Sequence, residues 1–99
     1  MNNNHKAIIL NCPEHIKPFR NNKETISIDE GIVETIKHLW KNDIITLNCC
    51  QGISSYLDGR PTIIISEGYK KTDIDRIKKI IADVDDRNVA ILQWNLIEV

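Results

Sequence analysis

No stretch of the 99 residues approaches the roughly 20 consecutive apolar positions that a membrane-spanning helix needs, so no membrane partner is expected. Nor is positive charge in excess. Thirteen Lys and Arg face 14 Asp and Glu, a formal net charge of −1, whereas a general duplex-binding surface needs a clear surplus of cations. Cys12, Cys49 and Cys50 are odd in number and two are adjacent, a poor disulfide framework that suits free thiols in a reducing compartment. The opening Met1-Asn2-Asn3-Asn4-His5-Lys6 departs from the charged-then-apolar layout of a secretory signal, so a cytoplasmic protein is expected. There is no internal repeat, low-complexity tract or linker. With 41% hydrophobic and 27% charged residues the composition is that of a folded globular chain. So short a chain builds one core, and a single α+β domain over residues 1–99 is expected, with 1–6 flexible.

Ala7 to Leu10 is a short apolar run ended by Asn11, Cys12 and Pro13, which predicts a buried strand. Asn11 to Ile26 is polar and irregular, and a connection of about 15 residues is of a length typical of functional or disordered loops. Ser27 with Glu30 has capping-box spacing. Behind it Ile28, Ile32, Val33, Ile36, Leu39 and Trp40 recur at helical spacing as far as Asn42-Asp43. Ile44 to Cys50 predicts a second strand, with Ile45, Leu47 and Cys49 on one face and Ile44, Thr46, Asn48 and Cys50 on the other. A loop follows, then a third strand from Thr62 to Ser66 that should pair with the second as a hairpin. Thr72 with Asp75 repeats the capping pattern ahead of Ile74, Ile77, Ile80, Ile81 and Val84, and Val89 to Val99 predicts a long closing strand.

The order β-α-β-β-α-β is that of a ferredoxin-like fold, a four-stranded antiparallel sheet with two helices on one face. Such a topology brings Asn11, Cys12 and His15 towards Cys49, Cys50, Gln51 and Arg60, beside a helix N-terminus whose free N–H groups favour anions. The other face would carry Ile8 or Ile9, Ile64, Ile91 and Ile97 with Thr46, Asn48, Gln93 and Asn95. That mixed surface predicts a homodimer formed largely through the last strand.

The residues Gly31-Ile32, Leu39, Asp43-Ile44-Ile45-Thr46, Cys49-Cys50-Gln51-Gly52, Gly59 and Ile63-Ile64-Ile65 together resemble a family of small bacteriophage proteins. In that family a helix leads into a strand ending in Ser-Cys-Cys-Gly-His or Ser-Cys-Gln-Gly, and a short loop returns through an apolar strand. The resemblance covers about a third of the chain. Asn48 stands where the family usually has Ser, and Ile53 where it often has His, which weakens a metal reading. The family is mostly without assigned function. Some small phage proteins sequester nucleotide-derived signals of bacterial immunity, so the resemblance implies, by analogy, an anti-defence nucleotide-binding role in the host cytoplasm.

Cys12, His15, Cys49 and Cys50 offer four soft groups to Zn²⁺, but adjacent cysteines diverge along extended backbone, and no metal or other cofactor is expected. A thiol enzyme needs a thiolate beside a base; His15 is the one histidine placed near a cysteine, His38 facing outward from its helix. Gly52 suits a positive-φ turn and a close approach, Tyr56 can stack on a flat ring, and Arg20 and Arg60 can pair a phosphate. No catalytic constellation is complete. The expectation is therefore a binding protein, not an enzyme, holding a small anionic or nucleotide-like ligand between loops 11–26 and 50–60. Its site would draw on Asn11, Cys12, His15, Arg20, Asn48, Cys49, Cys50, Gln51, Gly52, Tyr56 and Arg60. The alternatives are a thiol-dependent enzyme or redox protein using Cys12, Cys49 or Cys50, and a protein–protein interaction module.

Overall fold

Alternation of apolar and polar residues in two early segments produces the first structural unit. Ala7–Asn11 (β1) and Thr25–Asp29 (β2) pair antiparallel, Ala7 opposite Asp29 and Asn11 opposite Thr25. The computed structural model describes residues 6–50, 60–93 and 97–99, with Cys50 described by its backbone alone; the expectation for 1–6 falls almost wholly outside this range. Ile26 and Ile28 are buried while Thr25 and Ser27 are exposed, the two-residue period of a half-buried strand. This corrects the helix start expected at Ser27 and Glu30. Ser27 instead sits in β2 opposite Ile9, and β-branching at Thr25, Ile26 and Ile28 favours extended backbone. Helical structure begins with a 3-10 turn at Glu30–Ile32 and continues as α1, Val33–Lys41. Asn42 closes it, and Asp43 adopts φ 62°, a region that Asn and Asp enter more readily than other side chains.

The second unit contains β3 (Thr46–Cys50) and β4 (Thr62–Ile65) paired antiparallel, then α2 (Lys71–Ala82) and β5 (Ala90–Leu92), which runs parallel to β4. The parallel pair follows from the helical crossover between its strands. The Asp73 carboxylate, accepting the Lys70 N–H at 3.0 Å, caps α2, in place of the expected Thr72 and Asp75. Among the described residues the strands thus form two sheets, β1-β2 and β3-β4-β5. The ferredoxin-like four-stranded antiparallel sheet is overturned. β2 runs close to β3 without a ladder between them. The closing strand is also shorter than expected: after Leu92 the chain returns, Leu92 bridges Glu98 antiparallel, and the Val99 N–H donates to Ile91 O at 2.9 Å.

One core joins both sheets and both helices, with Ile16, Ile32, Ile36, Leu39, Ile63, Ile65 and Ile77 all at 0% exposure. Ile91 at 2% and Thr46 at 4% belong to this interior and not to the outer sheet face to which the sequence assigned them. For Thr46 the reason is a β-bulge. Thr46 pairs with Ile65 and Asn48 with Ile64, so Leu47 is an extra residue in β3, and the inward phase changes across it. Ile44 and Thr46 face the core before the bulge, and Cys49 packs against it after, where strict alternation put Ile45, Leu47 and Cys49 together. Trp40 Nε1 donates to Thr46 Oγ1 at 2.9 Å, so the two buried polar groups satisfy each other. Among the described residues no helix is long and apolar enough to cross a membrane.

A polar corner fastens the end of α2 to the start of α1. Thr35 Oγ1 donates to Asp85 Oδ2 at 2.7 Å, and Arg87 donates through Nε and Nη2 to Asp85 Oδ1 and Oδ2 at 2.9 and 2.7 Å. Arg87 Nη2 also reaches Gly31 O at 2.7 Å. The Asp85 side chain is 3% exposed. The Arg87 hydrogen bonds, helped by Thr35, hold its carboxyl down to about 2 against burial, which pushes the other way. A folded pKa below the unfolded one means that the stabilisation is present at neutral pH and disappears as pH falls from 3.8 towards about 2. Asp85→Asn should lower unfolding free energy at pH 7 by about 2 kcal/mol and flatten the acid limb of stability against pH. Urea denaturation across that range measures both, and an unchanged acid limb would count against this corner.

Candidate functional site

The connection between β1 and β2 is tied down before it forms a site. The Cys12 N–H donates to Glu24 O at 2.8 Å, closing the hairpin beyond its last ladder pair. His15 Nε2 lies 3.1 Å from Ile44 O, and since a carbonyl only accepts, Nε2 carries the proton. Lys17 Nζ pairs with Glu14 at 2.8 Å and Glu24 at 3.3 Å. Ile16 plugs the core at 0% exposure. With these anchors set, Lys17–Arg20 makes a 3-10 turn, its φ preset by Pro18. Asn21 and Asn22 then both take positive φ, 54° and 56°, reversing the chain with the side chain that tolerates this region best after glycine.

The turn brings Phe19 and Arg20 beside the face of β3–β4 that points away from the core, where Ile64 and Ser66 alternate with buried Ile63 and Ile65. Two adjoining hollows result. One, of about 500 Å³, has walls from Leu47, Ile64, Ser66 and Glu67; the other, of about 360 Å³, runs over Asn21, Lys23, Thr25 and Ser27; Phe19, Arg20 and Asn48 line both. Each falls within the roughly 300–1,000 Å³ of small-molecule sites. Asn48 Oδ1 accepts the Cys49 N–H at 2.8 Å, which leaves its NH₂ group to donate elsewhere.

Charge is unevenly answered along this loop. Lys17 is neutralised by two carboxylates, whereas Arg20 and Lys23 have no ion pair among the described residues. Arg20 Nε is buried with no hydrogen-bond partner among the described residues. Leaving a buried donor unanswered costs about 1–3 kcal/mol, and more when it is charged.

Of the residues singled out in the sequence, Arg20 and Asn48 alone among the described ones meet here. Asn11 is exposed at the end of β1, Cys12 is 5% exposed inside the core, and Cys49 packs half-buried against it. His15 is engaged by Ile44. Arg60 donates to Asn88 O at 3.0 Å and to Glu98 Oε2 at 2.9 Å, and lines a separate hollow of about 420 Å³ with Lys78 and Asp86. The Cys50 side chain, Gln51, Gly52 and Tyr56 lie outside the described residues. The α1 N-terminus is not beside the groove either, because β2 separates it from this loop and delivers it to the Asp85–Arg87 corner. Among the described residues no three His, Cys, Asp or Glu side chains gather as a metal set. Sequence reasoning passed over Phe19, Lys23 and Glu67. The available signal was Phe19, the one phenylalanine, adjacent to Arg20 in a polar loop.

Comparison with protein-family models, with curated proteins and with solved structures gives no match. The site is therefore read from its own chemistry. Because Cys12 is buried, iodoacetamide should modify it far more slowly in the native protein than in urea. Mass mapping of the Cys12 peptide measures this, and similar rates in both would show that the 12–24 connection opens readily.

Proposed function

We propose that this chain is a non-enzymatic binding module that holds a small phosphorylated or carboxylated anion in the groove centred on Arg20. The observation that carries the proposal is the buried Arg20 Nε, without a partner among the described residues, in a turn fixed by Ile16, His15 and Lys17. A rigid frame around an unsatisfied cationic donor is preorganised for an anion, since little ordering remains to be done on binding. Retention rather than turnover is favoured because, among the described groove residues, no hydroxyl is hydrogen-bonded to a side chain that could act as its base; Ser66 and Glu67 share a hollow without such a bond.

Arg20→Ala gives a two-part test by thermal denaturation with and without pyrophosphate. The unliganded variant should be as stable as the parent or slightly more so, because an orphaned donor is gone. The parent should gain about 2.7 kcal/mol at a ligand concentration 100-fold above Kd, and the variant should gain nothing. A parent that gains nothing from phosphate, pyrophosphate or mononucleotides in large excess would end the proposal.

Association of two copies forms part of this reading. Ile9, 72% exposed in the middle of β1, and Ile97, 60% exposed, are apolar side chains that a partner copy would cover, and β1 carries no charged residue to discourage edge pairing. Light scattering should return twice 11.4 kDa and Ile9→Lys should reduce it to the monomer mass. A monomeric parent at high micromolar concentration would remove the pairing.

A further inference from the structure

The two hollows on either side of Arg20 differ in chemistry, and the difference restricts what fits both. The side towards β2 offers cations and hydroxyls, Arg20 and Lys23 with Thr25 and Ser27. The side towards β4 offers apolar walls, Phe19 and Ile64, together with Glu67. The Glu67 carboxylate has no hydrogen bond or ion pair among the described residues; its backbone carbonyl alone is used, by Gln93. Lys23 lines only the first of these hollows and Glu67 only the second, and a carboxylate there would repel an anion placed beside it. The occupant must therefore carry its negative charge at one end and present N–H donors at the other, with a flat apolar body between them. Phe19, 47% exposed, gives that body a face to stack on, as aromatic side chains do for nucleobases.

We infer that the groove takes a free guanine nucleotide, with the phosphate at Arg20 and Lys23, the base on Phe19 and its donor edge on Glu67. This rests on the anion-binding reading above and narrows it to one base. A carboxylate is acceptor-only and offers two oxygens side by side. Guanine answers with two adjacent donors, N1–H and the N2 amino group. Adenine sets its amino group next to the acceptor N1, cytosine sets its own next to the acceptor N3, and uracil flanks a single N–H with two carbonyls. Each of these three turns a lone pair towards the carboxylate, and a site built for hydrogen bonds rejects an analogue that leaves them unmade or reversed.

Isothermal titration with GMP, AMP, UMP and inorganic phosphate, on the parent and on Glu67→Gln, separates anion binding from base recognition. GMP should bind at least tenfold more tightly than AMP or UMP, and all three more tightly than phosphate. Glu67→Gln should reverse the order of GMP and AMP, because a carboxamide pairs one donor and one acceptor with the complementary edge of adenine. Glu67 lies in an exposed turn, so the variant should keep the parent's melting temperature. Equal affinity for the nucleotides, or an order unmoved by Glu67→Gln, would overturn the guanine assignment and leave anion binding standing. No binding by any of the four would overturn both. A 5′-phosphorylated tetranucleotide led by guanosine that binds more tightly than GMP would overturn the assignment to a free nucleotide.

Discussion

The extra residue in β3 opposite the Ile65–Ile64 step decides what this molecule has inside and what it offers outside. Ahead of it, Ile44, Ile45 and Thr46 are hydrogen-bonded to three other parts of the chain. His15 donates to Ile44 O, Tyr69 Oη accepts the Ile45 N–H at 2.8 Å, and Trp40 Nε1 reaches Thr46 Oγ1. Past it, Cys49 turns to the core and Asn48 turns outward into the groove. Had β3 been regular, Thr46 and Asn48 would share a face, and the strand could not both bury its threonine against Trp40 and present its amide beside Arg20.

His15, Ile16 and Lys17 explain how a loop of polar composition keeps a defined shape. Lys17 and its two glutamates are surface groups whose pairing contributes little on its own. The bond from His15 to a main-chain carbonyl at the start of a core strand, and the insertion of Ile16 into the interior, contribute more because they exclude alternatives at a buried site. Fixing Ile16 also fixes where the following 3-10 turn points. Phe19 and Arg20 thereby occupy one place above β3–β4 instead of sampling the space around it.

Both helices were legible in the sequence through the spacing of Ile36, Leu39 and Trp40 and of Ile74, Ile77 and Ile80, all buried as that spacing demands. The pairing of β3 with β4 was legible too. β2 was not, because Ile26, Ile28 and Ile32 fit a strand period at one end and a helix period at the other. What settles the choice is the pairing with Ile8 and Leu10, a contact between distant residues that no local pattern displays. Losing one strand changed the predicted topology, and with it the edge at which the loops were expected to meet. Arg20 and Asn48 were recognised for their chemistry. Phe19 and Glu67 take their meaning from neighbours across the groove, and a bulge of one residue leaves no composition signal.

The separation of the strands into two ladders has a mechanical side. Phe19 to Ser27 belong to the β1–β2 hairpin, whereas Leu47, Asn48, Ile64 and Glu67 belong to the three-stranded sheet. No main-chain ladder crosses between them among the described residues, so side-chain packing and a few single hydrogen bonds hold the hairpin in place. Such a unit can swing or detach at a smaller free-energy cost than the sheet it leans on. A molecule lying across the groove would act as a rivet through both plates, merging two cooperative units into one and slowing the opening through which it would have to escape.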